Sequence, residues 1–208
     1  IAFQLMMNLT ACGVSLLGQF LGIESPITII QMLWINIIMD TLGGLAFAGE
    51  APLESSMREK PKRRDEQILN SYMINEIVFL GGFTVAMFLF FLKCPRVTSL
   101  FRYDSQNLHL LTAFFALFIF SSVFNCFNAR TDRVKLFSGL GKNKTFILIM
   151  SGVLFIQILF IYLGGPVLRT LPLTLRELGI TFLFSLLVFP AELLRKLVLR
   201  MFGKKRGY

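Results

Sequence analysis

Charge is scarce in this sequence of 208 residues: 16% are Asp, Glu, Lys or Arg, against about 25% in an ordinary soluble domain. Histidine and tryptophan occur once each and cysteine three times. A single histidine and the scattered Cys12, Cys94 and Cys126 lack metal or disulfide spacing, so the thiols read as packing groups. No P-loop, nucleotide-binding glycine fingerprint or catalytic-triad pattern is present, which removes those chemistries from this chain. The first apolar stretch has no charged n-region or cleavage site and is not expected to be a signal peptide. The chain reads instead as the membrane-embedded C-terminal piece of a longer protein.

Apolar residues are what the sequence has in plenty. They make up 55% of the chain, 23 of them Phe, and mean hydropathy is +0.69. Disorder is excluded by so much apolar surface, and the short alternating segments of a membrane β-barrel are absent. A bilayer-crossing helix needs about 20 mostly apolar residues, and six blocks qualify: 1–21, 27–49, 72–92, 108–128, 145–163 and 178–194. The fold expected is an all-α membrane protein, a bundle of six transmembrane helices in one domain, 1–208. Linkers such as Gly22-Ile23-Glu24-Ser25-Pro26 are short, which makes consecutive helices antiparallel neighbours. Gly81-Gly82 is expected to permit close helix packing and Gln157 to bond a neighbouring helix, and Pro190 to kink the last span. Glu76 and Glu192 are read as interfacial, Glu192 pairing with Arg195 and Lys196 a turn away.

The net charge of +9 would suit nucleic acid, but its distribution says otherwise. Sixteen of the 21 basic residues fall in the loops 50–71 and 129–144 and in the tail, and five on the other side. By the positive-inside rule those two loops and the C-terminus are cytoplasmic, and no nucleic-acid partner is needed. The lipid bilayer is the partner implied.

A carboxylate inside a span costs several kcal/mol on insertion scales and marks an ion path. Asp40 is such a residue, and Asn36 lies one turn earlier on the same helical face. A carboxylate and an amide carbonyl are hard oxygen ligands suited to a cation such as Ca²⁺. Gly43-Gly44 follows and is expected to loosen the helix, freeing backbone carbonyls as in the broken helices of transporters. In the preceding span Asn8 stands among Phe3, Leu5, Met6, Met7 and Leu9, as ligand or as interhelical glue. Helix-to-helix hydrogen bonding is the alternative for all three. These residues do not fill the roughly six to eight oxygens that Ca²⁺ takes, so further ligands must come from elsewhere.

Asn8, followed 28 residues later by Asn36 within Gln31-Met32-Leu33-Trp34-Ile35-Asn36-Ile37-Ile38-Met39-Asp40-Thr41, resembles the fifth and sixth membrane helices of P-type Ca²⁺-transporting ATPases. Glu50-Ala51-Pro52 is similar to the family's E-P-P at the cytoplasmic end of helix six. Six spans and a basic tail correspond to helices five to ten. Sarcoplasmic-reticulum-type pumps hold two ions and use a Glu where this chain has Ala11, a Thr where it has Met39 and a Glu where it has Ser122. The ligands that remain, Asn8, Asn36 and Asp40, resemble the single Ca²⁺ site of the plasma-membrane type, as does Asn125-x-x-Asn128-Ala129-Arg130. The resemblance implies a plasma-membrane protein that moves Ca²⁺ by alternating access. It also implies ATP and Mg²⁺, bound with the phosphorylated Asp in cytoplasmic ATPase domains upstream, and further transmembrane helices there as partners. By that resemblance this chain holds no catalytic residue of its own. A standalone ion channel or secondary cation transporter using Asp40 is the alternative, for which inverted internal repeats would be expected and are not found.

Overall fold

A computed structural model describes residues 1–23, 26–49, 69–130 and 143–203. It is 81% helical, with no strand among the described residues. The elements are α1 (Ala2–Phe20), α2 (Ile29–Ile37), a π-helical turn (Ile38–Gly43), α3 (Gly44–Ala48), α4 (Ser71–Lys93), α5 (Pro95–Thr98), α6 (Leu108–Ala129), α7 (Lys144–Leu163), α8 (Gly165–Leu168), α9 (Leu175–Ser185) and α10 (Val188–Gly203). Five stretches are long and apolar enough to cross a membrane: Ile29–Ala48, Ser71–Lys93, Leu108–Ala129, Lys144–Leu163 and Leu175–Met201. The first expected span forms a helix of 19 residues, but Gln4, Asn8, Thr10, Ser15 and Gln19 lower its hydropathy and it is not among the five. The loop stretches 50–68 and 131–142, which hold Glu50-Ala51-Pro52 and most of the loop cations, and the tail from 204 lie outside the described residues.

Side chains start the helices where an orphan N–H needs an acceptor. Thr28 and Gln31 form a reciprocal capping box on α2, Asn70 accepts from the Met73 N–H on α4, and Asn143 accepts from that of Phe146 on α7. Asp104 takes the N–H groups of Gln106, Leu108 and His109 at the head of α6, and the His109 ring nitrogen lies 3.0 Å from it. Burial alone would raise the Asp104 carboxyl. The Leu108 and His109 N–H groups, with the His109 ring and the Gln106 N–H, outweigh it and lower the pKa to about 2.

Alternating helix direction gives the bundle two ends. Here the end where α4 and α7 begin and α6 and α10 finish is called the tail end, and the opposite end the loop end. The core is α6, whose residues from Thr112 to Cys126 are all buried, as is Asn128. A helix apolar all round belongs in the middle of a bundle, and α1, α4, α7, α9 and α10 all pack on it. Phe side chains mediate much of this in edge-to-face pairs: Phe88 on Phe114, Phe124 on Phe182 and Phe127 on Phe146, with ring centroids 5.3, 5.4 and 4.9 Å apart.

The closest helix pair is α1 with α4, and glycine makes it possible. A Cβ on Gly13 would stand 2.8 Å from Val85 Cγ2, and one on Gly81 3.2 Å from Leu9 and 3.5 Å from the Met6 carbonyl. Gly82 faces open space, so only the first glycine of the Gly81-Gly82 pair does what was expected of both. Gly13→Ile should lower stability by about 1–3 kcal/mol through overpacking, and Gly82→Ala should not. Thermal unfolding of the two variants in detergent checks this, and equal midpoints would refute the packing argument.

Two irregularities shape the helices. The last expected span, 178–194, is longer and broken: α9 ends at Ser185 and α10 restarts at Val188. Pro190 is the cause, because it lacks an N–H and its ring collides with the carbonyl of Leu186 four residues back. The second is the π-turn, considered next.

Candidate cation site

In α1 the buried face is Phe3, Met6, Met7, Thr10, Ala11, Val14 and Gly18, a helical stripe that packs on α4 and α6. Asn8 lies off that stripe, exposed beside Leu5, Leu9 and Cys12. On α2, Ile35 is buried, Asn36 half-buried, and Leu33 and Ile37 exposed. Neither Asn8 nor Asn36 makes a side-chain hydrogen bond among the described residues. Interhelical bonds exist elsewhere. Gln157, fully buried, accepts from the Trp34 indole at 3.3 Å, as expected of it, and Asn125 reaches Met7 Sδ at 3.9 Å.

Asp40 sits in the π-turn Ile38–Gly43. The expected loosening at Gly43-Gly44 takes this form: the chain is wound wider rather than unwound, and α3 continues directly after it. Single π-turns inside α-helices often occur at functional sites. In a regular α-helix position 40 would stand about 40° past position 36. A wider turn needs more residues per revolution and brings the two closer to register.

Gly43 fixes the depth of this turn against α1. A Cβ there would lie 3.4 Å from the Phe3 ring and 3.3 Å from the Ile38 carbonyl. The helices run in opposite directions, so depth can be counted from that contact at about 1.5 Å per residue. Asn8 then lies about 7 Å toward the loop end, between Asp40 at about 4 Å and Asn36 at about 10 Å. The three positions therefore spread over about 6 Å of depth, roughly one helical turn, on two helices that meet where α1 contacts the π-turn. No direct bond joins Asn8 to Asn36. Among the described residues, no group of three or more His, Cys, Asp or Glu could hold a metal ion. Ala11 is buried in packing and Ser122 donates to the Phe118 carbonyl on its own helix at 2.7 Å.

The description "Cation transporting ATPase, C-terminus" matches residues 24–198, which include α2, the π-turn and Asp40. The chain belongs to this family. Relatives of this cation-transporting ATPase segment match 84% to 95% of the chain. The chain is 29% identical over 201 residues to the rice "Calcium-transporting ATPase 3, plasma membrane-type", covering 95% of the chain and 19% of that protein. It is 32% identical over 190 residues to "Plasma membrane calcium-transporting ATPase mca-1" of Caenorhabditis elegans, covering 84% and 15%. It is 32% identical over 185 residues to "Plasma membrane calcium-transporting ATPase 2" of Oreochromis mossambicus, covering 84% and 16%. The chain thus spans less than a fifth of the length of these relatives.

One constellation in the ATPase segment goes beyond the sequence reading. Glu76 and Glu192 are not interfacial but buried, with Arg195 and Lys196, at the tail end. Arg195 grips Glu192 with two bonds of 2.6 and 2.7 Å. It also lies 3.7 Å from Glu76, donates to Tyr72 Oη at 3.0 Å and stacks 4.6 Å above that ring. Lys196 bridges Glu192 at 3.1 Å and the last-turn carbonyl of Asn128 at 3.1 Å. Two acids and two bases therefore tie α4, α6 and α10 together. The i, i+3 and i, i+4 pairs were visible in the sequence, but Glu76 and Tyr72 come from another helix and only the fold brings them in.

Proposed function

We propose that residues 1–208 form the C-terminal transmembrane domain of an ATP-driven Ca²⁺ pump of the plasma-membrane type. In this reading α1 crosses the bilayer as a sixth span and the tail end faces the cytoplasm, as the distribution of basic residues favours. Asn8 and Asn36 contribute amide oxygens and Asp40 a carboxylate to a single Ca²⁺ site. The remaining oxygens, the phosphorylated Asp and the pocket for ATP and Mg²⁺ belong to upstream parts of the pump. What supports the reading is that the three positions lie on two helices that meet at the π-turn, and that the Asn8 and Asn36 amides make no side-chain hydrogen bond among the described residues.

The arrangement suits transport. A charged group inside a span is tolerable when a cation neutralises it, so Asp40 binds strongly when the site is filled and favours occupancy from either side. The wide turn around it can change its hydrogen-bond register at low cost, which suits a site that must open first to one side and then the other. Ca²⁺ uptake into vesicles holding the full-length protein, measured together with ATP hydrolysis, should give one Ca²⁺ per ATP. A ratio of two would overturn the single site, and hydrolysis without uptake would overturn the pump.

A further inference from the structure

A cleft of about 500 Å³ at the loop end is lined by Gly22, Ile23, Leu92, Lys93, Ser105, Gln106, Asn107, Leu110, Leu111 and Arg169. Among the described residues, its charged lining is of one sign. Lys93 ends α4 and Arg169 follows α8, both exposed, and neither makes an ion pair among the described residues. The nearby Asp104 is not in the lining and is occupied by the α6 N–H groups and His109. The backbone is strained here as well. Of the four described residues with positive φ, Gly22 (69°), Asn107 (52°) and Arg169 (50°) line the cleft. For Arg this left-handed conformation costs of order 1 kcal/mol and points to a functional constraint.

The polarity of the lining is layered. Lys93, Asn107 and Arg169 lie at or beyond the helix ends, while Leu92, Leu110 and Leu111 lie inside helices apolar enough to span. A polar, cationic rim over an apolar floor matches the junction between a lipid headgroup and its acyl chains, whereas a small soluble anion has no use for the floor. We propose that this cleft binds the phosphate-bearing headgroup of a membrane lipid. Lys93 and Arg169 hold the phosphate, the Ser105-Gln106-Asn107 turn contacts the glycerol region, and Leu92, Leu110 and Leu111 receive the first methylenes. The proposal rests on the membrane-spanning reading above.

The test is native mass spectrometry of the full-length protein in detergent, titrated with dioleoyl phosphatidylglycerol, with dioleoylglycerol, which has no phosphate, and with inorganic phosphate as competitor. Phosphatidylglycerol should be retained, dioleoylglycerol should not, and millimolar phosphate should not displace the lipid. Lys93→Gln and Arg169→Gln should each weaken retention about tenfold, as expected for loss of one charge-assisted contact. Arg169→Gly separates binding from folding: it should lose lipid to the same extent, yet unfold at a temperature no lower than wild type because glycine accepts φ of 50°. Equal retention by the variants, or equal binding of dioleoylglycerol, overturns the site. Displacement by phosphate makes it a free-anion site and overturns the lipid assignment. Release of the protein from membranes by alkaline carbonate would instead overturn the spanning reading itself.

Discussion

Asp40→Asn in the full-length protein is expected to abolish Ca²⁺-dependent phosphorylation from ATP. The substitution keeps shape and one carbonyl oxygen but removes the only charge among Asn8, Asn36 and Asp40. Loss of one partner from a desolvated charge pair costs about 2–5 kcal/mol, which lowers Ca²⁺ affinity by tens to thousands of times. Asn36→Ala and Asn8→Ala remove neutral ligands and should each cost less, about 1–1.5 kcal/mol or roughly tenfold. The check is phosphoenzyme formation against free Ca²⁺ for all three variants. If Asp40→Asn responds to Ca²⁺ as wild type does, Asp40 is not a ligand. If Asn8→Ala alone is silent, α1 contributes no ligand and the site is confined to the second span.

Glu192→Gln is expected to destabilise the bundle by about 3–5 kcal/mol, the usual cost of removing one partner from a buried ion pair. Glu192 is fully buried and takes two bonds from Arg195 and one contact from Lys196, so its neutral analogue leaves two buried cations without that charge. Pairing the change with Lys196→Met removes one of those cations and should recover part of the loss, a coupling that a double-mutant cycle reads directly. Thermal inactivation of the purified full-length protein, with both single variants and the double, is the measurement. Additive losses would mean that Lys196 and Glu192 do not interact. A midpoint unchanged in Glu192→Gln would mean that the cluster is solvated in the assembled protein.

The course of the helices could largely be read from hydropathy, because a span needs only length and an apolar composition. Pro190 announced the break in the last span for the same local reason. Two features resisted. The π-turn depends on which carbonyl each N–H chooses, and side-chain periodicity does not encode that; Gly43-Gly44 marked the place but not the form. The buried Glu76–Arg195–Glu192–Lys196 cluster looked interfacial because charge near a span end normally snorkels to water. Its burial follows from Tyr72, Asn75 and Asn128, contributed by other helices, which no local reading can bring together. For the proposed site, Asp40 was singled out by the cost of a carboxylate inside a span. That α1 meets the π-turn, through Phe3 against Gly43, is a tertiary fact that no local pattern carries.

The encasement of α6 has a consequence for biosynthesis. This helix leaves the ribosome before α7, α9 and α10, the helices that pack on it later in the chain, so for a time its few polar groups meet lipid or the translocon. Its side chains are arranged for that interval. Thr112 and Ser122 bond to the carbonyls of Leu108 and Phe118 at 2.7 Å, and Asn128 bonds to Asn125 at 3.1 Å, all within the same helix. Groups satisfied by their own helix lose little in hydrocarbon, so these hydroxyls and the Asn125–Asn128 pair lower the cost of that wait, while Ser121 Oγ and Asn128 Oδ1 have no partner among the described residues.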